Sequence, residues 1–239
     1  MMIMKRIVLA AFAWIMAISA VQAQDQVETT VVTDVVSQYV WRGMDLGHAS
    51  IQPTLGVAYK GLSLSAWGNV GLTDANDVRE IDLTLSYTTG GFNIGITDYW
   101  NTDGQDPENR YFRYNAHSTN HLFEANVGYD FGPLSLQWNT MFAGNDGYNK
   151  SGERAYSSYI EAAAPFALGG CEWQAVLGAV PYATDYYGAD GFIINNVSLR
   201  AQRDIKITDK FSLPVFGQIA VNPSTEHAYF VFGFTLKAF

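Results

Sequence analysis

The chain has 239 residues, enough for one domain or two small ones, and carries a formal charge of −9. That acidity gives it no electrostatic reason to hold nucleic acid, and no cluster of Lys or Arg argues otherwise. Past the first residues no apolar run reaches the roughly 18 residues of a helical span, which excludes helical membrane spans there.

The opening stretch reads as a signal peptide. Lys5 and Arg6 form a basic n-region and Ile7 to Ala20 an uncharged apolar h-region. Val21-Gln22-Ala23 then puts small residues where a signal peptidase cuts. A lone membrane anchor competes with this reading, but the apolar run is short for a span and the cleavage site follows directly. The expected organisation is a signal peptide at 1–23 and a single domain at 24–239, which without Lys5 and Arg6 carries −11. No cysteine follows the cut, as a lipoprotein would need, and export past the inner membrane is implied. Cys171 is the one cysteine, so no internal disulfide can form, and it reads as a small, half-buried residue.

From residue 29 onward a period of two dominates. The first strand is expected over Thr29 to Trp41. From Ala49 to Lys60 one face reads Ala49, Ile51, Pro53, Leu55, Val57, Tyr59 and the other is mostly polar. After Lys60-Gly61 the alternation restarts with Leu62, Leu64 and Ala66, the sign of a hairpin with a very short turn. Ile81 to Tyr87, Phe92 to Trp100, Phe123 to Tyr129 and Leu134 to Phe142 repeat the form. So do Ile160 to Phe166, Trp173 to Ala179, Val197 to Ala201, Phe211 to Val221 and Phe230 to Leu236. About 12 strands result, with short connections alternating with longer polar ones, the longest near Asn101 to Asn120.

A membrane cannot hold an open sheet edge, so a chain of this pattern that enters lipid must close into a barrel. Outer-membrane barrels have short periplasmic turns and longer external loops, and an even strand count puts both termini on the periplasmic side. Aromatics in phase with the apolar face gather at strand ends, as two interfacial girdles require. Tyr59, Tyr87, Phe92, Tyr129, Phe166, Trp173 and Phe211 fall on the short-turn side. Trp41, Trp100, Phe142 and Tyr156 fall on the other. A soluble lipocalin-like barrel or a sandwich would show the same alternation with the apolar face inward, but would put its large aromatics mid-core. The expected fold is an all-β, antiparallel, up-and-down transmembrane barrel in the bacterial outer membrane.

The segment Val35-Val36-Ser37-Gln38-Tyr39-Val40-Trp41-Arg42-Gly43 resembles the first strand of the TorF-type outer-membrane porin family. Ile51-Gln52-Pro53, Ala66 to Val70 and Glu80 to Leu83 look like that family's next motifs, so the likeness covers about Val35 to Trp100. Tyr39, Arg42 and Gly43 are the motif positions, and a porin-like barrel is what the resemblance implies. Outer-membrane barrels usually end on an aromatic that the barrel-assembly machinery reads; Phe239 is terminal but one residue out of phase with Phe230 to Leu236.

No CxxC, HExxH, GxSxG or GxGxxG pattern occurs, and no cofactor or metal is expected. His48-Ala49-Ser50 has the spacing by which a strand could present a His and the Ser it activates, as an outer-membrane lipid hydrolase would need. Its phase turns both away from lipid, so loop and lumen polarity is the plainer reading. His117 and His121 belong to the longest loop.

The expected lumen-facing set is Asp34, Gln38, Arg42, Lys60, Asn69, Glu80, Asp82, Glu124, Gln137, Glu161, Arg200, Gln218 and Lys237. Such charges either knit a plug or line a water path. Closure of the last strand on the first should bring Asp34 and Lys237 close together. The outer loops are acid-rich, which suits a solvated face, cations, or divalent ions bridging to lipopolysaccharide; Asp103 to Glu108 lacks calcium-loop spacing. Three functions fit: a narrow passive channel for ions or small polar solutes, a plugged structural or interaction barrel, and, behind both, a lipid hydrolase. Outer-membrane lipid and lipopolysaccharide are the expected surroundings.

Overall fold

A computed structural model describes residues 26–74, 76–209 and 211–237; the signal segment and Phe239 lie outside them. The chain forms β1 (Glu28–Val36), a small hairpin of β2 (Tyr39–Trp41) and β3 (Met44–Gly47), then β4 (Ser50–Tyr59), β5 (Leu62–Gly71) and β6 (Arg79–Thr89). There follow β7 (Phe92–Thr102), β8 (Leu122–Asp130), β9 (Ser135–Gly144), β10 (Ser158–Leu168) and β11 (Cys171–Val180). β12 (Ile193–Lys206), β13 (Ser212–Asn222) and β14 (His227–Lys237) complete the chain. β1 and β4 to β14 make a closed antiparallel barrel of twelve strands, each beside its neighbour in sequence, and β2 pairs only with β3.

Closure comes from β1, which pairs with β4 on one edge and β14 on the other. Asp34 stands opposite Thr235 and accepts its hydroxyl at 2.5 Å, while Lys237 stands opposite Val32, one pleat repeat from Asp34. The full circle leaves no edge with unpaired N–H and C=O groups.

The tight turns follow from residue type. A two-residue hairpin turn of the type that matches strand twist needs positive φ at both centres. Lys60 and Gly61 have φ 50° and 86°, Gly90 and Gly91 54° and 89°, and Gly169 and Gly170 63° and 76°. These turns, with those at 131–134 and 207–211, share one end of the barrel with Glu28 of β1 and Lys237 of β14. The other end carries the connections at 37–49, 72–78, 103–121, 145–157 and 181–192; the sixth, at 223–226, has only four residues.

The strand pleat turns the apolar set outward. Along β6, Ile81, Leu83, Leu85 and Tyr87 are 39–51% exposed, whereas Glu80, Asp82, Thr84 and Ser86 are buried. Inside, hydroxyls and amides meet across strands: Ser63 with Ser86 at 2.7 Å, Thr84 with Thr97 at 3.1 Å, and Asn93 donating to Thr88 at 2.8 Å. Cross-strand polar pairs of this kind are the unit by which one sheet face is satisfied. Of the expected girdle, Tyr59, Tyr87, Phe92, Tyr129, Phe142, Tyr156, Phe166 and Phe211 are exposed large apolar side chains. Trp173 stacks on Phe166 with centroids 6.0 Å apart, and Trp100 lies edge-on to Tyr111 of the longest loop at 5.4 Å.

Candidate functional site

The first strand ends at Val36, five residues sooner than its alternation implies. Ser37 accepts the amide of Phe232 on its hydroxyl at 3.0 Å and donates its own amide to the Phe232 carbonyl at 2.9 Å. After that anchor the chain bends, and β2–β3 folds back into the barrel. Its tip is another two-residue turn, with φ 49° at Arg42 and 74° at Gly43. Gly43 is required there twice over: the turn needs positive φ, and a Cβ would fall 1.8 Å from the Asn195 carbonyl oxygen.

The tip is held from several strands. Arg42 donates through Nη1 and Nη2 to the two carboxylate oxygens of Glu124, at 2.6 and 2.9 Å. Nη1 also donates to the Tyr187 hydroxyl at 2.7 Å. The guanidinium lies 4.3 Å from the Trp41 ring centre and 4.6 Å from that of Tyr159. Asn195 and Asn222 donate to the carbonyls of Arg42 and Gly43 at 2.9 and 3.0 Å. Lower on the hairpin, Tyr39 donates its hydroxyl to Glu80 at 2.8 Å. A buried charge is tolerable only when paired and hydrogen-bonded, and Arg42 is both.

Trp41 therefore does not belong to the girdle. It packs inside against Tyr99 and Tyr187, with centroids 5.9 and 6.3 Å apart, because the bend at Ser37 and Gln38 breaks the phase that would send it outward. Lys60 is likewise not in the lumen: it occupies an exposed turn, its amine 5.2 Å from the Tyr59 ring centre. Gln38 lies at the bend itself, and Lys237 is exposed at the short-turn end. Arg42 is interior, but on the hairpin rather than the wall.

The remaining expected positions fall on inward strand phases. Asp34, Asn69, Glu80, Asp82, Glu124 and Arg200 are each under a tenth exposed. Gln137, Glu161, Arg200 and Gln218 line one cavity of about 420 Å³, together with Asp82 and the hairpin residues Tyr39 to Gly43. Thr30, Ser63, Thr88 and Asn93 also line it, so it reaches from the hairpin toward the short-turn end. Tyr99, Tyr159 and Tyr187 are site residues that strand alternation did not single out. Their signal was available only in part: Tyr99 and Tyr159 are aromatics on the polar phase, where an ordinary lumen wall has little use for them.

At the long-loop rim, His48 meets Asp77 through Nδ1 at 2.9 Å, and Ser50 accepts from Gln52 at 3.3 Å. His48 and Ser50 are thus engaged with different partners rather than with each other. The hydrogen bond to Asp77, reinforced by its charge, holds the His48 imidazole above its ordinary value. His121 is fully buried, bonded to Asp98 at 2.7 Å and to the Tyr111 carbonyl at 2.5 Å. Among the described residues no three of His, Cys, Asp and Glu converge as a metal ion would need.

No family model matches the chain, and no curated protein does. Among solved structures the chain is similar to the NanC porin, at 10% identity and a TM-score of 0.44 over 87% of this chain and 98% of that one. It is also similar to an outer-membrane channel from Pseudomonas putida F1, at 13% identity and a TM-score of 0.37 over 91% and 98% of the two chains.

Proposed function

We propose that this chain is a narrow passive channel of the Gram-negative outer membrane, admitting ions or small polar solutes past the β2–β3 hairpin. The apolar outer face suits lipid, and the polar inner face suits water. The observation that carries the reading is the cavity of about 420 Å³ left inside the barrel beside the hairpin, with Ser63, Thr84, Asn93, Gln137 and Arg200 among its lining residues. A structural plug would gain most by filling that space, since unfilled volume forfeits contacts. The hairpin narrows the lumen instead, and its tip sets the Arg42–Glu124 ion pair beside the path, where charged groups tune size and ion preference.

A second reading has its own support. The tip is tied by the two-pronged Arg42–Glu124 pair and two asparagine bonds, and a fully tied hairpin suits a closed barrel that acts through its loops. Planar-bilayer recording of the refolded protein separates the two. Unitary current steps are the expected result. A silent bilayer with the native protein, and again with a variant whose hairpin tie is cut, would favour the closed barrel.

A further inference from the structure

Two arginines face the same cavity, and they differ in one respect. Arg42 is fully partnered, whereas Arg200 on β12 makes no hydrogen bond and no ion pair among the described residues, although it is only 9% exposed. Its guanidinium lies 3.6 Å from the centre of the buried Phe216 ring. With one face taken by an aromatic, the N–H edges are its remaining hydrogen-bonding surface. The register sets Gln174 of β11 on one side of it and Gln218 of β13 on the other. All three line the cavity, and both Arg200 Nε and Gln174 Nε2 are buried donors without an acceptor. Unpaired buried donors are costly, and an unpaired buried cation more so. The Asp34 carboxylate accepts from Thr235 and attracts Arg200 through space, but makes no direct hydrogen bond to it.

We propose that Arg200, flanked by Gln174 and Gln218, binds the carboxylate of a small hydroxylated solute in the lumen. A planar carboxylate accepts two parallel N–H bonds from a guanidinium edge, and the flanking amides supply further donors. Ser198 and Asn196, inward on the same strand, line the cavity beside this row and suit hydroxyl groups of the bound molecule. Arg200 stands near the middle of β12, away from the acid-rich loops, although Asp82 and Glu161 line the same cavity. This assignment deepens the channel reading and rests on it for the solute's route, but not for binding itself.

The test is isothermal titration of the whole protein in detergent micelles with L-lactate, its neutral counterpart lactamide, and inorganic phosphate. Lactate should bind at least about tenfold more tightly than lactamide, the size of one charge-assisted bond. Arg200→Gln should remove that difference, and Gln174→Leu, which keeps the charge, should weaken lactate several-fold. Retained heat-shifted migration on gels shows that each variant is folded. Equal binding of lactate and lactamide, unchanged binding by Arg200→Gln, or tighter binding of phosphate than of lactate would each overturn the proposal. A protein that binds lactate but carries no current would keep the site and overturn the channel reading alone.

Discussion

Arg42 and Glu124, 82 positions apart in sequence, meet edge to edge inside the barrel at 2.6 and 2.9 Å and fix the hairpin tip to β8. Tyr99 donates to the same carboxylate at 2.9 Å, so Glu124 gathers the hairpin and β7 at one point. Removing one member of a buried pair leaves the other uncompensated and costs about 3–5 kcal/mol. Glu124→Ala should therefore lower the temperature at which the barrel loses its heat-shifted gel mobility, and should raise unitary conductance by freeing the hairpin. Arg42→Ala with Glu124→Ala should cost less than the two single losses added, the signature of direct coupling.

The tip can also be displaced without touching its charge. In Gly43→Ala the new methyl carbon falls 1.8 Å from the Asn195 carbonyl oxygen, at a φ of 74° that disfavours any side chain. The hairpin cannot seat, so bilayer recordings of this variant should show larger or more frequently interrupted currents than the native protein. A trace identical to the native one would mean that the hairpin does not set the conductance.

At the rim, the His48–Asp77 contact should depend on pH in one direction. The folded imidazole titrates above its ordinary value because Asp77 accepts its N–H. The stability that the charged pair contributes is complete below the ordinary imidazole range and is lost as pH rises through the raised value. The value that proton NMR titration gives for His48 should fall toward the ordinary imidazole value once Asp77 becomes Asn, with Asp74 and Asp45 still holding it slightly up.

The longest loop is held against the outer rim by His121, whose two ring nitrogens face Asp98 and the Tyr111 carbonyl, and by Tyr114, which donates to Asp98 at 3.1 Å. Arg110 and Arg113 lie in that loop. Asp98→Asn removes the charge on which both contacts rest. It should make trypsin cut at Arg110 and Arg113 several-fold faster in intact cells or detergent, with the barrel itself uncut.

The barrel was legible in the sequence because one face of each strand had to be apolar. Ile81, Leu83 and Leu85 against Asp82, Thr84 and Ser86 leave no other pleat, and the turns at Lys60-Gly61 and Gly169-Gly170 fix the hairpins. The interior hairpin was not legible by the same rule. Tyr39 and Trp41 continue the outward phase of Val31 and Val35, and aromatics at a strand end fit a girdle as well as they fit a packed lumen. What separates the two is the Ser37 anchor on Phe232 and the left-handed turn at Arg42-Gly43, and Arg-Gly is a weak turn signal. Tyr187 reaches Arg42 from a loop 145 positions away, a contact that no strand periodicity encodes. Arg200, by contrast, was placed in the lumen by phase alone; its lack of a partner is a fact of three dimensions.

The most direct test of the account is the facing of β6 in lipid. With Cys171 replaced by Ser, single cysteines at Leu83, Thr84, Leu85 and Ser86 are labelled with an environment-sensitive fluorophore and reconstituted in vesicles carrying a quencher in their acyl chains. Strong quenching at 83 and 85 with little at 84 and 86 is the predicted result. Equal quenching at all four, or the reverse alternation, would contradict an apolar face turned outward into the membrane.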